Sequence, residues 1–548
     1  MSMLKESLAA AKKHNVFLAS PPKNLKKEFD ALFTLEAIEF LVDLITEFDD
    51  KVDQLYYTRF IKKYELKRNP KIPTFLETDI TNSDWKVAPV GRRLQNRHLD
   101  LGDVSPSNLD HFTKALGCNV EGIQVDFDDG HCPTWRNQIV GLYNVYKAVR
   151  NELSNVLPIW KAPILMLRPR AWNMLEHNVT VNGKEVPGPL LDFVLLTFHN
   201  ANILRYCESG PYFYLSKLEG ASEAKLWDDI FTWTESRLDM PHGTIKACVL
   251  IENILSAFEM DQILFNLKDH SLGLNCGIWD YAASIINKFG NNKSFILPDR
   301  NKYVNMNRHF LKCYMELVVK TCHRRGAHAT GGMAALLLPT EDDPDEFHRV
   351  VETVVNGKLA EIQMGVDGFM VFDSGLVPYI NNLWKNYGGP SYNQIKYPGT
   401  PNDISEADLL RLPTGGVTVD GLKHNISITI LFIFYWLQGV GHFAYKGAVE
   451  DSATAEISRS QIWQWIRHGA KFEDGNGNLL TRGLVDSYAC QIIDHLLEEY
   501  CSNFQEKINL HTARDLFTEI VNHREFPDFI TTYLNDAHVF RRLHHSRL

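Results

Sequence analysis

Two acidic residues, Glu252 and Asp280, each end an apolar run with the character of a buried strand. The runs read TIKACVLIE and GLNCGIWD, and the two carboxylates are 28 positions apart. One strand–helix–strand step takes about 30 residues, so this separation predicts equivalent heights on successive strands. Two carboxylates that share a cation with substrate oxygens and waters are typical of Mg²⁺ sites. Spacing alone leaves an alternative open, in which each carboxylate caps a helix or pairs with a basic residue.

Arg168 supplies a cation at the end of another apolar run, ILML. An arginine side chain does not lose its charge, so at a strand end it needs a carboxylate or an oxyanion to bind. Asp126, Asp128 and Asp129 follow the preceding candidate strand and offer a structural ion pair. Both interpretations are compatible, because a carboxylate can orient the arginine that meets a substrate.

Eight short apolar runs are the candidate strands that would position these side chains. They cover residues 122–127, 163–168, 191–198, 212–217, 244–252, 273–280, 328–338 and 368–373. Apolar character on both faces is typical of parallel strands covered by helices, and eight units over roughly 250 residues fit a (β/α)₈ barrel. Charged residues at the C-terminal ends favour this barrel, because its active site lies where those ends converge. A doubly wound sheet would show a glycine-rich turn after its first strand, and none is visible.

The regions on either side of the barrel have helical patterns. Apolar residues recur with helical spacing between positions 35 and 48, and again beyond position 421. A segment rich in Asn, Gly and Pro separates the second region from the barrel. We therefore predict an N-terminal helical segment over 1–84, the barrel over 85–380, a linker over 381–421 and a helical C-terminal domain over 422–548.

Composition excludes several classes of protein. The net charge of -10 argues against a nucleic-acid or anionic-membrane surface. The longest apolar run, 426–437, is far shorter than the roughly 20 residues of a membrane span, and the first residues lack an apolar signal core. The nine cysteines are dispersed, without a CxxC pair or a Cys/His cluster at zinc-ligand spacing, and indicate a reducing compartment.

The stretch DHSLGLNCGIWDY, residues 269–281, closely resembles the malate synthase signature DHxxGLNxGxWDY. Other segments resemble that family in the same order between about residues 85 and 465: LRPRAWN, FHNA, GPYFYLSKLE, CHRRGAHATGGMAA and EDSATAEISRSQIWQWI. The resemblance is to the peroxisomal or glyoxysomal form, which is similar to malate synthase A. It implies a (β/α)₈ barrel with a C-terminal helical domain, and Mg²⁺-dependent condensation of glyoxylate with acetyl-CoA to malate and CoA.

The resemblance also implies roles for individual residues. Glu252 and Asp280 would be the Mg²⁺ ligands, Arg168 the cationic catalytic residue, and Asp451 the general base. Other site residues would be Gly277, Ile278 and Trp279, whose backbone lies beside glyoxylate, and the supporting acids Asp126, Asp128 and Asp129. Without the resemblance, Asp451 would be interpreted only as an acid at a helix N-terminus.

One segment departs from the family pattern. VDGFMVFDS, residues 366–374, has Met370 where a tryptophan is usual and Ser374 in place of proline. In the family this segment borders the glyoxylate pocket and the adenine site of acetyl-CoA, so acyl-CoA preference is expected to be affected. Two alternatives stay open: a related synthase or lyase that uses another acyl-CoA, and a non-catalytic peroxisomal homologue.

The last three residues are Ser546, Arg547 and Leu548. They form a variant of the SKL tripeptide, which is an address for peroxisomal import. The sequence therefore predicts a peroxisomal location and an import receptor as a partner.

Overall fold

Eight parallel strands form a closed barrel in the computed structural model, which describes residues 15–68, 71–340, 343–389, 391–473 and 478–539. The strands, in chain order, are β1 Leu99–Val104, β2 Gly122–Asp126, β3 Ile164–Arg168, β4 Tyr212–Leu215, β5 Lys246–Ile251, β6 Ser271–Cys276, β7 Ala329–Ala334 and β8 Gly368–Val371. Each strand pairs in parallel with the next, and β8 pairs with β1. The predicted (β/α)₈ barrel is confirmed.

One predicted strand is wrong and one real strand was missed. Residues 191–198 lie inside the helix Gly188–Tyr206, which is buried on almost all sides and is therefore apolar without a clear periodicity. The missed strand is β1, whose sequence LDLGDV carries two aspartates although every residue in it is buried. Those aspartates hide the apolar pattern that identified the other seven strands.

One helix follows each strand and covers the outside of the barrel. These helices are Leu109–Leu116, Trp135–Val149, Gly188–Tyr206, Ala221–Arg237, Met260–Asn266, His309–Arg324, Pro344–Met364 and Val377–Tyr387. Inside the barrel, alternate side chains of successive strands form a separate apolar cluster, which includes Ile164, Met166, Tyr212, Tyr214 and Leu250. This two-layer burial explains why the strands are apolar on both faces.

The remaining elements lie at the two ends of the chain. Before the barrel are a short strand and helices, Val16–Leu18, Lys26–Leu32, Leu35–Arg68 and Asp79–Asn82, and the first of these pairs with the excursion Leu175–Val181 and Lys184–Pro187. After it are Glu406–Leu409, Val419–Trp436, Phe443–Tyr445, Ala448–Glu450, Ser452–His468, Arg482–Tyr500, Phe504–Asn522 and Ile530–Tyr533. The later helices share a second hydrophobic core. The exact domain boundaries stay a prediction.

An extra helix joins the C-terminal helices to the barrel. Ile278–Phe289 begins two residues after β6 ends, and Arg300–Tyr303 follows it before the barrel helix of that strand. Ile278–Phe289 packs along Ser452–His468. This contact brings the N-terminal ends of both helices to the C-terminal end of the barrel. Within the described residues, no helix combines the length and apolar character needed to cross a membrane.

Gly273 in β6 gives a test of this packing. Its φ is +100°, and a Cβ atom there would lie 1.8 Å from the carbonyl oxygen of His328. We expect Gly273→Ala to lower the free energy of unfolding by at least about 3 kcal/mol, because both backbone strain and overlap oppose it. Gly483→Ala is the control, since Gly483 lies in a helix with open space around it, and its effect should be between zero and about 1 kcal/mol of stabilisation. Equal urea midpoints for both variants would contradict the packing.

Candidate active site

Three carboxylates meet at the C-terminal end of the barrel. Oxygens of Asp129, Glu252 and Asp280 lie within 4.8 Å of one another, and all three side chains are buried. Glu252 comes directly after β5, as the sequence predicts. Asp280 is not at the end of a strand, because β6 ends at Cys276 and Asp280 lies in the first turn of Ile278–Phe289. The helix bends back over the barrel end and still brings Asp280 to Glu252.

Lys217 lies among these carboxylates. Its Nζ donates hydrogen bonds to Asp128 and Asp129, both at 2.8 Å, and is 3.4 Å from Asp280. Its backbone N–H donates to Glu252 at 2.7 Å. The residue has a left-handed backbone with φ 56°, which is strained for a side chain of this size. One alternative from the sequence was that Asp280 pairs with a basic residue, and Lys217 does contact it.

Arg168, at the end of β3, is held by two aspartates. Its Nε donates to Asp126 at 2.8 Å, and an Nη donates to Asp129 at 2.6 Å and to Asp126 at 3.2 Å. Asp126 also accepts hydrogen bonds from the backbone of Asp128 and Gly130, which winds the loop after β2 around one carboxylate. Asp128 does not pair with Arg168 and contacts Lys217 instead. The predicted structural pair is therefore formed by Asp126 and Asp129.

Asp451 caps the helix Ser452–His468. Its carboxylate accepts a hydrogen bond from the backbone N–H of Thr454 at 3.1 Å, and the Thr454 hydroxyl accepts one from the backbone N–H of Asp451 at 3.0 Å. The next residue, Ser452, donates its hydroxyl hydrogen bond to Asp129. The C-terminal helices are thereby tied to the carboxylate cluster of the barrel.

A cavity of about 100 Å³ connects these groups. Arg168, Glu252, Asp280 and Asp451 all line it, as do Gly277, Ile278 and Trp279. Its apolar lining includes Leu250, Met333, Met370 and Val449, whereas Ser374 is not part of it. The structure therefore brings together the predicted ligands, the arginine, the acid and the predicted backbone segment around one small cavity.

The backbone of this segment is arranged as a helix N-terminus. The N–H of Gly277 is already used, because it donates to the Tyr314 hydroxyl at 3.1 Å. The N–H groups of the first helical turn, from Ile278 onward, have no partner within a helix by geometry and carry a partial positive charge. They form a donor set for an anionic group in the cavity.

A second cavity, of about 520 Å³, reaches the carboxylate cluster from another side. Lys217, Glu252 and Asp280 lie at its inner end, and the helix Leu35–Arg68 and residues 525–536 form its outer walls. The carboxylate cluster is thus accessible from two directions.

The pKa shifts reflect an excess of buried acid. Burial raises the pKa of Glu252 to about 7, although Lys217 opposes this. Burial also raises the pKa of Asp280 well above its ordinary value, again against Lys217. For Asp129, burial is outweighed by Lys217 and Arg168, which hold its pKa below the ordinary range. Lys217 and Arg168 therefore stabilise the charge of Asp129, whereas the charged forms of Glu252 and Asp280 need further positive charge. The carboxylate oxygens of Asp129, Glu252 and Asp280 fit a divalent cation such as Mg²⁺.

Sequence reasoning gave no role to two residues of the site. Asp103, at the end of the missed strand β1, lines the cavity, and burial together with the charges of Asp451 and Asp126 raises its pKa well above the ordinary value. Lys217 is the last residue of the candidate strand 212–217, which by itself indicates no specific role. Both residues have positive φ, 51° and 56°, which sequence cannot show. Both residues could have been found as charged residues near the end of a strand. For Asp103 this would have required β1 to be predicted as a strand.

Family models and curated relatives show the family of this chain. The family model "Malate synthase, TIM barrel domain" matches residues 164–412, and "Malate synthase, C-terminal" matches residues 416–537. The chain is 38% identical to "Malate synthase" of Myxococcus xanthus over 520 residues, covering 93% of this chain and 94% of the relative. It is 32% identical to "Malate synthase, glyoxysomal" of Glycine max, covering 95% and 94%. The solved "Haloferax volcanii Malate Synthase Magnesium/Glyoxylate Complex" aligns at 13% identity with a TM-score of 0.43, covering 78% of this chain and 99% of that one.

Lys217→Met tests the charge balance of the cluster. Removing the ammonium leaves buried carboxylates unpaired, so in the presence of a chelator we expect the free energy of unfolding to fall by about 3 kcal/mol or more. Saturating Mg²⁺ should recover part of this loss, because an ion bound by the same carboxylates stabilises the folded state. Urea midpoints with and without Mg²⁺ measure both effects.

The control is Lys288→Met. Lys288 forms a buried pair with Glu219 at 2.6 Å and does not belong to the three-carboxylate cluster. Its loss should also destabilise the protein, but Mg²⁺ should not restore stability. An equal response of the two variants to Mg²⁺ would refute the assignment of Lys217 to the cation site.

Proposed function

Because this chain belongs to the malate synthase family, we propose that it condenses glyoxylate with acetyl-CoA and water to give malate and CoA. The observation that carries the proposal is the convergence of Arg168, Asp451 and the carboxylates Glu252 and Asp280 on one cavity of about 100 Å³. A cavity of that size suits two reacting groups of a few atoms each, and the burial of its charged side chains strengthens their electrostatic interactions.

Glu252 and Asp280 are the residues that would hold Mg²⁺, with Asp129 beside them. A bound Mg²⁺ ion supplies Lewis-acid polarisation of the glyoxylate carbonyl and a counter-charge for its carboxylate. The first-turn amides of Ile278–Phe289 would donate hydrogen bonds to the glyoxylate oxygens from the opposite side. Together these groups would orient glyoxylate in the cavity that Asp451 also lines.

Asp451 would act as the base that removes a proton from the acetyl methyl group. Its cap hydrogen bond to Thr454 holds the carboxylate in one position beside the cavity. The methyl group is a very weak acid, so the negative charge that develops on the thioester oxygen has to be stabilised. Arg168 would supply that stabilisation, since its guanidinium is fixed by Asp126 and Asp129 before the substrate arrives.

Carbon–carbon bond formation then follows from proximity. The enolate carbon attacks the glyoxylate carbonyl carbon, and the resulting alkoxide takes up one proton to become the hydroxyl of a malyl thioester. That proton balances the one that Asp451 removed from the acetyl methyl group. Water cleaves that thioester into malate and CoA, and this hydrolysis makes the overall reaction effectively irreversible. Within the chain, the step depends on Arg168 and Asp451 being held on opposite elements, the barrel and the C-terminal helices.

A related activity toward another acyl-CoA is favoured by one observation. Met333 and Met370, two flexible side chains, form part of the apolar lining of the cavity. Flexible side chains can move to admit a longer acyl group than acetyl. The alternative is thus a synthase of the same mechanism with a broader or shifted acyl-CoA preference.

A thiol assay tests the function and its base together. With Mg²⁺ and glyoxylate, the full-length protein is expected to release CoA from acetyl-CoA, and Asp451→Asn should lower kcat by about 10²–10⁴-fold. The variant should also lose exchange of the acetyl methyl protons with deuterated water while still binding glyoxylate. Asp343→Asn is the matched control, because Asp343 caps Pro344–Met364 in the same way outside the cavity and should leave activity unchanged.

The outcomes separate the alternatives. Turnover with propionyl-CoA but none with acetyl-CoA would favour the synthase that uses another acyl-CoA. No turnover with either substrate would favour a non-catalytic homologue. Normal methyl exchange in Asp451→Asn would remove Asp451 as the base while leaving the activity itself in place.

We further propose that the protein acts in peroxisomes, as part of a glyoxylate cycle. Support comes from the terminal tripeptide Ser546, Arg547 and Leu548, which lies outside the described residues, and from relatives named glyoxysomal. An N-terminally tagged protein is expected to colocalise with a peroxisomal marker and to become diffuse when the three residues are deleted. Replacing Ser502, in the described part of the chain, with alanine is a control that should not change the location. Retention of the deletion variant in peroxisomes would contradict the proposal.

A further inference from the structure

A second cluster of potential metal ligands lies at the opposite end of the barrel. Glu235 is near the end of the helix Ala221–Arg237, His242 is in the loop before β5, and His270 directly precedes β6. These positions are at the N-terminal ends of the strands, whereas the candidate active site is at their C-terminal ends. A six-residue strand spans about 20 Å, so the two clusters are separate.

The distances within this cluster match those between zinc ligands. One carboxylate oxygen of Glu235 lies 3.2 Å from Nε2 of His270 and 3.3 Å from Nδ1 of His242, and all three ligand atoms are within 4.8 Å of one another. Zinc binds nitrogen and oxygen at about 2.0–2.2 Å in a tetrahedron, so neighbouring ligand atoms are expected about 3.3–3.4 Å apart. His242 is exposed and can rotate to complete the geometry.

Further groups contact the side of each ligand that faces away from the proposed metal. The Nδ1 of His270 faces Asp228 at 2.8 Å, and the Nε2 of His242 faces Asp269 at 3.6 Å. Glu235 accepts hydrogen bonds from the backbone N–H groups of Gly243 at 2.9 Å and Ile245 at 2.7 Å. Carboxylates behind the histidines are typical of zinc sites, because they fix the tautomer that presents a lone pair to the metal.

We propose that Glu235, His242 and His270 bind a zinc ion, with water as the fourth ligand. The metal takes the place of a proton between Nε2 of His270 and Glu235, while Nδ1 of His270 keeps its hydrogen bond to Asp228. The metal connects the end of a helix, the loop that leads into β5 and the start of β6. It stabilises the N-terminal end of the barrel and takes no part in the condensation at the C-terminal end.

Zinc titration of the full-length protein tests the site. The chelator-treated protein, held in excess Mg²⁺, is titrated with Zn²⁺ in competition with a chromophoric chelator. We expect tight binding of one equivalent, an affinity at least about 100-fold lower in His242→Ala, and one about 10–100-fold lower in Asp228→Asn. Zn²⁺ should also raise the Tm of the wild type but not of His242→Ala. Because His242 is exposed, its replacement should not disturb folding.

Matched variants identify the site. His495→Ala removes another exposed histidine beside an acid, Glu499 at 3.4 Å, and should keep wild-type zinc affinity. Unchanged affinity in His242→Ala would overturn the proposal. Loss of binding only in Asp280→Asn would place zinc at the carboxylate cluster, and loss only in His309→Ala would place it at His309, Cys313 and Asp408; either result overturns it. The readout does not depend on catalytic activity.

Discussion

The buried excess of carboxylates at the C-terminal end of the barrel is the constraint on which the site depends. Seven acids, Asp103, Asp126, Asp128, Asp129, Glu252, Asp280 and Asp451, are close together with two basic side chains, Arg168 and Lys217. Buried charge is expensive unless it is paired, so the barrel end needs further positive charge. A bound divalent ion would satisfy that need beside an arginine that stays charged, and both would serve chemistry on anionic, oxygen-rich substrates.

Strand register and helix ends place these charges. Asp126 and Arg168 are direct partners across β2 and β3, so their pairing follows from the barrel itself. Asp280 and Asp451 instead lie at the N-termini of Ile278–Phe289 and Ser452–His468, helices of 12 and 17 residues that pack side by side. Two helix N-termini that meet at one cavity add partial positive charge, which favours carboxylates in the protein and in a substrate alike.

The sequence predicts those parts of the fold whose pattern lies within one short segment. The strands β2 to β8 carry apolar runs because both their faces are buried, and a charged residue after a strand marks the catalytic end of a barrel. β1 was missed because Asp100 and Asp103 belong to its buried interior, where Asp100 accepts a hydrogen bond from Tyr214. The run 191–198 failed for the opposite reason, since a helix buried on all sides has the composition of a strand.

Long-range contacts explain the rest of the site. The central position of Lys217 depends on a left-handed backbone and on acids from the loop after β2 and from the helix Ile278–Phe289, and neither leaves a local pattern. The zinc ligands proposed at the other barrel end come from three segments, so a search for closely spaced Cys and His residues passes over them. Motifs of closely spaced ligands detect only sites that one segment builds.

Asp451 shows how a structural and a catalytic interpretation combine. From sequence, an acid before a helix is a cap, and the structure has that cap in full, with reciprocal hydrogen bonds to Thr454. A cap residue has a backbone fixed by the helix it begins and a side chain held at the helix end. A general base needs the same restraint, because proton transfer depends on a carboxylate held within hydrogen-bond reach of its substrate. The cap is therefore the device that keeps the proposed base in position across the junction between the barrel and the C-terminal helices.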